Sequence, residues 1–259
     1  VGDGCLQEGI SHESIEFAGH LKLSKLVVLW DDNEISIDGN TKLSTSSNQV
    51  MRFKAAGWHV QKIDGHNFRE ISNAVELAQN SKKPSLIACK TTIGYGSPNL
   101  AGTEKTHGAP LGENEVKEVK KFLNWNEKSF EVPDDILDEW RIIKNKGNKK
   151  RDEWLKIYDN NPNKEKFEKF LAGNLNQKFE RKFSSYIKNL KKERPKIATR
   201  QASLKFLEIL NQTIQNTVGG SADLTGSNLT KTEKMKIISP NKFKGNYIHY
   251  GIREHMMGA

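Results

Sequence analysis

Cysteine is scarce in this chain, with only Cys5 and Cys89 among 259 residues, far apart and without a CxxC or other metal-ligand spacing. That excludes a disulfide framework and a zinc cluster, and it suits a reducing compartment. Long apolar runs are also missing. None approaches the roughly 20 residues of a membrane-spanning helix, and Val1-Gly2-Asp3-Gly4 lacks the basic and apolar regions of a signal peptide. A soluble, cytoplasmic chain with no membrane partner is therefore expected. Aromatic residues make up 8%, and basic stretches such as Lys144 to Arg151 carry none, so the net charge of +9 is not read as pointing to nucleic acid. The basic residues concentrate between Lys144 and Lys205 among Glu, Asp and Asn, which reads as a solvated helical connector. A hydrophobic content of 35% is low and agrees with such a stretch.

What is present alternates between helical and extended patterns. Leu6, Ile10, Phe17 and Leu21 recur at helical spacing, and Leu26 to Trp30 is a short apolar run. Arg52 to Ala56 predicts a helix stopped at Gly57, with Trp58 to Ile63 extended. Asn67 caps a helix whose apolar face is Ile71, Ala74, Val75 and Ala78, and Pro84 precedes a strand over Ser85 to Thr92. This alternation predicts an α/β fold, a parallel sheet flanked by helices. Gly94 to Gly112 is too long and too rich in Gly, Pro, Ser and Asn for a mere connection, and it is expected to approach a ligand. Beyond Asn114 the pattern is helical and charged to about Lys192. Ala198 to Ile214 then reads as a helix, Thr217 to Leu224 as a strand running into a loop, and Asn246 to Gly251 as a strand feeding a helix near Arg253. The expected division is a first domain over 1–160, a linker over 161–194 and a second α/β domain over 195–259, with the chain partial at both ends.

Gly2-Asp3-Gly4 alone is an ordinary tight turn in most proteins. Here a helix, the strand Leu26 to Trp30 and Asp31-Asp32-Asn33 follow, which puts Asp3 and Asn33 past the carboxyl ends of parallel strands in one βαβ unit. Open α/β sheets bind ligands at that edge. Glycines on either side of Asp3 let backbone approach a diphosphate, and the following helix offers unpaired N–H groups to it. Mg²⁺, a hard ion, takes oxygen ligands such as the Asp3 carboxylate, the Asn33 side-chain oxygen and a main-chain carbonyl just beyond.

An Asp-Gly turn with Asn thirty residues later is the signature shared by thiamine diphosphate enzymes. The blocks Gly2 to Glu13, Asp31 to Gly39, Cys89 to Asn99 and Thr106 to Gly112 resemble, in order, those of the transketolase family. Ile197 to Arg200, Gly219 to Leu224, Ser227-Asn228 and Tyr247 to His255 are similar to the opening of that family's pyrimidine-binding domain. The first domain would then be the C-terminal part of a diphosphate- and metal-binding domain. The second would be the N-terminal part of a pyrimidine-binding one.

The resemblance implies roles for particular residues. Asp3, Asn33 and the Ile35 carbonyl oxygen hold Mg²⁺, with Ca²⁺ or Mn²⁺ as substitutes, and Gly4 and Asp223 join Asp3 and Asn33 at the cofactor. His107 contacts both the diphosphate and the donor sugar's oxygens. Arg200 and Ser227 grip the sugar phosphate. Glu254 is the activating glutamate, set against the aminopyrimidine nitrogen so that the imino form can take the thiazolium C2 proton. The resemblance further implies transfer of a two-carbon ketol unit between sugar phosphates of the pentose phosphate pathway, such as xylulose 5-phosphate and ribose 5-phosphate. It also implies a homodimer whose site takes Asp3 and Asn33 from one chain and Glu254 from the other.

Each residue also has a blander alternative. Arg200 can be a solvated helix cation, Asp223 a turn cap, and Glu254 half of a surface ion pair or a first-turn carboxylate. His12, His20, His59, His66, His249 and His255 receive no functional assignment. Thr225-Gly226 departs from the Ala-Pro common in the family. The sister enzymes dihydroxyacetone synthase and deoxyxylulose-phosphate synthase are the nearest alternatives; the block from Cys5 to Glu13 and the Arg200 and Ser227 pair separate the chain from the latter. A non-catalytic relative that keeps the cofactor fold is the reading from another class, and salt-dependent binding to DNA would point to it.

Overall fold

The structure is a computed structural model that describes residues 1–173 and 175–259. The chain divides into two compact units, one formed by Val1–Asn124 with Val218–Ala259 and the other by Trp125–Thr217.

The first unit opens with helices α1 (Asp3–Gln7) and α2 (Gly9–Leu21), strand β1 (Val27–Asp32) and a two-residue hairpin, β2 (Ile35–Ser36) and β3 (Gly39–Asn40). Helix α3 (Gln49–Ala55), strand β4 (His59–Asp64), helix α4 (Phe68–Asn80), strand β5 (Ser85–Lys90) and helix α5 (Glu113–Phe122) follow. The three long strands form a parallel sheet in the order β1-β5-β4, with Ser85 level with both Val27 and His59. This is the parallel α/β arrangement that the alternating pattern predicts. Val1 lies along the free edge of β1: its amino group donates to the Leu29 carbonyl and its own carbonyl accepts from Asp31 N–H, each at 2.9 Å. Two residues later, Asp3 is delivered to the carboxyl end of β1.

Strand β5 is central and buried on both faces, which explains its uninterrupted apolar run. Because side chains alternate along a strand, Leu86 and Ala88 join Trp30, Phe53 and Trp58 on one face, while Ile87 and Cys89 meet Ala74 and Ala78 of α4 on the other. Leu86 and Ile87 are fully buried, worth about 1.5–3 kcal/mol each. Helix α4 starts where the Asn67 side-chain oxygen accepts from the N–H groups of Arg69 and Glu70 at 3.1 and 3.2 Å, a cap worth about 1 kcal/mol. On the opposite side of the sheet α2 passes so close to the turn after α3 that a Cβ on Gly19 would lie 1.8 Å from the Ala56 carbonyl oxygen. Trp58 Nε1 donates to the Ile15 carbonyl at 2.8 Å across the same contact.

Three details differ from the sequence pattern. The helix through Leu6 and Leu21 is broken at Glu8, whose extended ψ of 137° ends α1 and whose carbonyl accepts from Ser11 N–H to restart the chain as α2. Helix α3 begins earlier than Arg52, because the Asn48 side chain caps it through Met51 N–H at 2.9 Å. The β2/β3 hairpin has no counterpart in the sequence reading.

The remainder of the first unit pairs β6 (Gly219–Ser221) with β7 (Tyr247–His249) in parallel, with α10 (Thr225–Asn228) between them and α11 (Glu254–Gly258) after them. Tyr247 is fully buried, and its hydroxyl lies 2.8 Å from Thr225 Oγ1 and 2.7 Å from Thr230 Oγ1. The second unit is helical, comprising α6 (Asp134–Asp159), α7 (Lys164–Leu171), α8 (Gln177–Glu193) and α9 (Thr199–Thr213). Its apolar centre is the ring cluster Phe179, Phe183 and Phe206, with centroids 5.6 to 6.5 Å apart. Asn176 caps α8 through Phe179 N–H and donates to the Thr213 carbonyl at 2.7 Å, tying the start of α8 to the end of α9. Among the described residues, no helix is long and apolar enough to cross a membrane.

Candidate cofactor and metal site

A cleft of about 740 Å³ opens at the carboxyl end of β1. Its walls are the turn around Asp3, the segment from Asn33 to Asp38, and the far end of the Gly94 to Gly112 loop, where Thr106 and His107 face it. Five sequence-predicted residues, Asp3, Gly4, Asn33, Ile35 and His107, meet here. A Cβ placed on Gly2 or Gly4 would meet no atom within 4 Å, so both glycines look onto open space.

Asp3 occupies the first turn of α1, and its Oδ2 is buried without a hydrogen-bond partner among the described residues. Burial, followed by the negative charge of Asp32, holds its carboxyl above the ordinary aspartate range; the Trp30 indole and the Glu34 N–H act the other way, and Asp31 adds a smaller upward push. A buried, unpaired carboxylate oxygen beside two more carboxylates is costly by itself and is relieved by a cation. Asn33 is fixed at both ends: its Nδ2 donates to Asp31 Oδ2 at 3.1 Å, and its Oδ1 accepts from Ile35 N–H at 2.9 Å, which leaves one lone pair on Oδ1. Asp31 in turn accepts from the Thr91 hydroxyl. Between Asn33 and Ile35 the chain turns through Glu34 in the left-handed region at φ 61°, and Lys90 pairs with the Glu34 carboxylate at 3.2 Å. One carboxylate, one amide oxygen and a nearby carbonyl form an all-oxygen set suited to a hard divalent ion completed by phosphate oxygens. Among the described residues, no cluster of three or more His, Cys, Asp and Glu forms a metal site by protein ligands alone.

The other predicted residues lie elsewhere. Arg200 is exposed on the first turn of α9 in the helical unit. Asp223 sits in the turn after β6 in the left-handed region at φ 59°. Ser227 is exposed on α10 and donates to the Leu224 carbonyl at 3.3 Å. Glu254 is the exposed first residue of α11 and does not line the cleft.

The surroundings of Glu254 hold residues that sequence reasoning missed. Arg253 donates to Glu16 Oε2 at 2.8 Å and to the Tyr250 carbonyl at 2.9 Å, and Tyr250 stacks on Phe17 at 5.5 Å. Glu13 accepts from Met256 N–H at 2.8 Å and lies 3.3 Å from His255 Nδ1. The Met256 N–H, with His255 and Arg253 adding to it, holds the Glu13 carboxyl below the ordinary glutamate range. Glu13, Glu16 and Phe17 share one face of α2 at i, i+3, i+4 spacing, a visible signal whose partners lie more than two hundred residues away.

Comparison with known proteins gives a consistent result. Residues 1–184 match the family model described as transketolase, thiamine diphosphate binding domain, and residues 195–259 match transketolase, pyrimidine binding domain. The chain is 48% identical to a transketolase of Sinorhizobium medicae over 100% of its own length and 37% of that protein's. For a transketolase of Cereibacter sphaeroides the identity is 46%, over 100% of this chain and 39% of the relative. Among solved structures it is similar to Pichia stipitis transketolase in complex with sedoheptulose 7-phosphate, with TM-score 0.88, 33% identity and coverage of 100% of this chain and 40% of that one. Campylobacter jejuni transketolase superposes with TM-score 0.82 at 36% identity, over 99% of this chain and 39% of that one. The chain thus spans about two fifths of the length of these relatives.

Proposed function

The chain belongs to the transketolase family, and from that premise we propose that the full-length protein moves a two-carbon ketol unit from a ketose phosphate to an aldose phosphate with thiamine diphosphate and Mg²⁺. Xylulose 5-phosphate as donor and ribose 5-phosphate as acceptor are the substrates of this reading. Solved Pichia stipitis relatives in complex with fructose 6-phosphate, sedoheptulose 7-phosphate and xylulose 5-phosphate support the substrate class.

The observation that carries the reading is the meeting of Asp3, Asn33, Ile35 and His107 around one cleft, with a buried Asp3 oxygen left without a hydrogen-bond partner among the described residues. Asp3 and Asn33 supply side-chain oxygens and Ile35 its carbonyl to the metal. Asp31 and Thr91 keep the Asn33 amide oriented. Gly2 and Gly4 leave room for the diphosphate, and Gly4 lies at the N-terminal turn of α1, where amides lack helical partners. When bound, thiamine diphosphate supplies the carbon nucleophile and the electron sink for breaking the ketose C2–C3 bond. His107 hydrogen-bonds diphosphate and donor oxygens from the cleft wall. Glu254 would hold its carboxyl proton toward the aminopyrimidine ring nitrogen, which would favour the imino form. Arg200 and Ser227 take the sugar phosphate, and Asp223, held in a backbone conformation that costs a non-glycine residue about 1 kcal/mol, belongs to the cofactor's surroundings.

A homodimer with a shared site is part of the same proposal. Its support is the separation of Glu254 from the residues that line the cleft. The functional division over 1–160, 161–194 and 195–259 belongs to the same proposal, and the second family match, which begins at 195, supports its last boundary. A cytoplasmic setting is supported by the free thiols Cys5 and Cys89. The test is a coupled assay of xylulose 5-phosphate with ribose 5-phosphate on the full-length protein, with and without Mg²⁺ and thiamine diphosphate. Cofactor-dependent turnover that is lost in His107→Ala is expected. Turnover only with formaldehyde as acceptor would assign the protein to the dihydroxyacetone synthases instead.

A further inference from the structure

The loop that carries His107 is held by a helix whose own residues never reach the cleft. Glu115, in the first turn of α5, accepts three hydrogen bonds from the loop's near end: from the buried Ser97 hydroxyl, from Asn99 N–H at 2.8 Å and from Asn99 Nδ2 at 3.0 Å. At the other end of α5 the Phe122 ring packs against the loop, 2.7 Å from where a Cβ on Gly96 would stand and edge-on to Tyr95 at 5.3 Å.

From Ser97 the contacts advance in steps of three residues. Leu100 N–H donates to Ser97 Oγ at 3.2 Å, Thr103 Oγ1 donates to the Leu100 carbonyl at 2.7 Å, and Thr106 Oγ1 donates to the Thr103 carbonyl at 2.9 Å. His107 follows, its N–H bonded to the Glu104 carbonyl at 2.9 Å. The ladder is braced from the side by Gly102 N–H to the Ile93 carbonyl at 2.8 Å, and by Thr106 packed against Gly94, which is in the left-handed region at φ 63° and leaves no room there for a Cβ.

We propose that Glu115 is a positioning residue for His107, acting through the Ser97-Leu100-Thr103-Thr106 ladder to fix where the imidazole stands in the cleft. The proposal rests on the reading of His107 given above. Loss of the anchor frees the start of the ladder, and displacement of a substrate-contacting group by about 1 Å can cost up to about a hundredfold in rate.

The experiment uses the full-length protein with Glu115→Ala, Glu115→Gln and Thr103→Val, each with and without His107→Ala. Kinetics of ketol transfer and amide hydrogen exchange at Leu100, Gly102 and Thr106 are the two readouts. Glu115→Ala is expected to lower kcat/KM for the ketose phosphate about tenfold and to speed exchange along the ladder. Thr103→Val, which removes the side-chain rung to the Leu100 carbonyl while the Thr103 N–H bond to it at 3.2 Å remains and Glu115 stays intact, is expected to act in the same direction and less strongly. Glu115→Gln is expected to stay near the parent in both, because its amide oxygen still accepts from Ser97 and Asn99 N–H, and the Asn99 amide can turn over to meet its nitrogen. A role as a mere helix-terminus charge would be lost equally in Gln and Ala. His107→Ala is expected to abolish turnover with or without Glu115→Ala, while the faster exchange along the ladder in Glu115→Ala persists on that background. Faster exchange with unchanged kinetics in Glu115→Ala, while His107→Ala is inactive, would overturn this proposal alone. A His107→Ala variant that keeps parental turnover would overturn it together with the reading beneath it.

Discussion

Replacing Asp3 by asparagine should make the cofactor-free protein more stable and the cofactor-bound protein less responsive. Asp3 Oδ2 is buried without a partner among the described residues, and Asp32 and Asp31 place further negative charge beside it. A buried polar group left unsatisfied costs about 1–3 kcal/mol, and this site is partly open, so the lower end applies. The asparagine side chain keeps the shape, removes the charge and offers an N–H₂ to the neighbouring carboxylates. We expect a gain of about 1 kcal/mol in the absence of ligand. With thiamine diphosphate and Mg²⁺ at about 100 times the dissociation constant, the parent gains about 2.7 kcal/mol by mass action, and the variant, short of its charged metal ligand, gains little. Thermal unfolding of both full-length proteins, with and without ligands, reads all four values. A variant destabilised without ligand, or one that keeps the parent's full ligand-induced shift, would refute the reasoning that Asp3 is strained for a cation.

Further outcomes follow from the packing. Gly19→Ala places a Cβ 1.8 Å from the Ala56 carbonyl oxygen and 3.3 Å from the Trp58 ring, so α2 must move off the sheet; a loss of about 2–3 kcal/mol in chemical denaturation is expected. Tyr247→Phe leaves the hydroxyls of Thr225 and Thr230 without their shared partner, and should cost about 1–2 kcal/mol by the same measurement. The Glu13 carboxyl has a folded pKa below its unfolded value because of the Met256 N–H. Its stabilising contribution is therefore complete above the ordinary glutamate range, near pH 4, and is lost as pH falls through the folded value. The difference in melting temperature between the parent and Glu13→Gln should shrink as pH falls below about 4.

Much of the sheet was legible in the sequence for identifiable reasons. A central strand buried on both faces reads as a continuous apolar run, and Leu86 to Ala88 is one; Asn67 announces α4 by its side-chain chemistry. The break at Glu8 was not legible, because Leu6, Ile10, Phe17 and Leu21 keep helical spacing straight across it. Neither was the start of α3, where Ser46, Ser47 and Asn48 look like loop and the polar Gln49 is nonetheless buried.

The site divides in the same way. Asp3 and Asn33 stand in a motif whose spacing carries their chemistry, Ile35 and His107 are reached through the family resemblance, and all four share one cleft. The roles of Glu13, Glu16 and Glu115 were not legible, because a glutamate on a helix face looks solvated until its partner is known. Only the fold brings Met256, Arg253 and Ser97 to them.

The most direct test of a ketol-transferring site shared between two chains is complementation. Full-length Asp3→Ala and Glu254→Ala should each be inactive in the xylulose 5-phosphate and ribose 5-phosphate assay with Mg²⁺ and thiamine diphosphate. Unfolded and refolded together in equal amounts, they should recover about one quarter of parental activity, since half of the dimers then carry one intact site. No recovery in folded mixed dimers, or full activity in either single variant, would contradict the account.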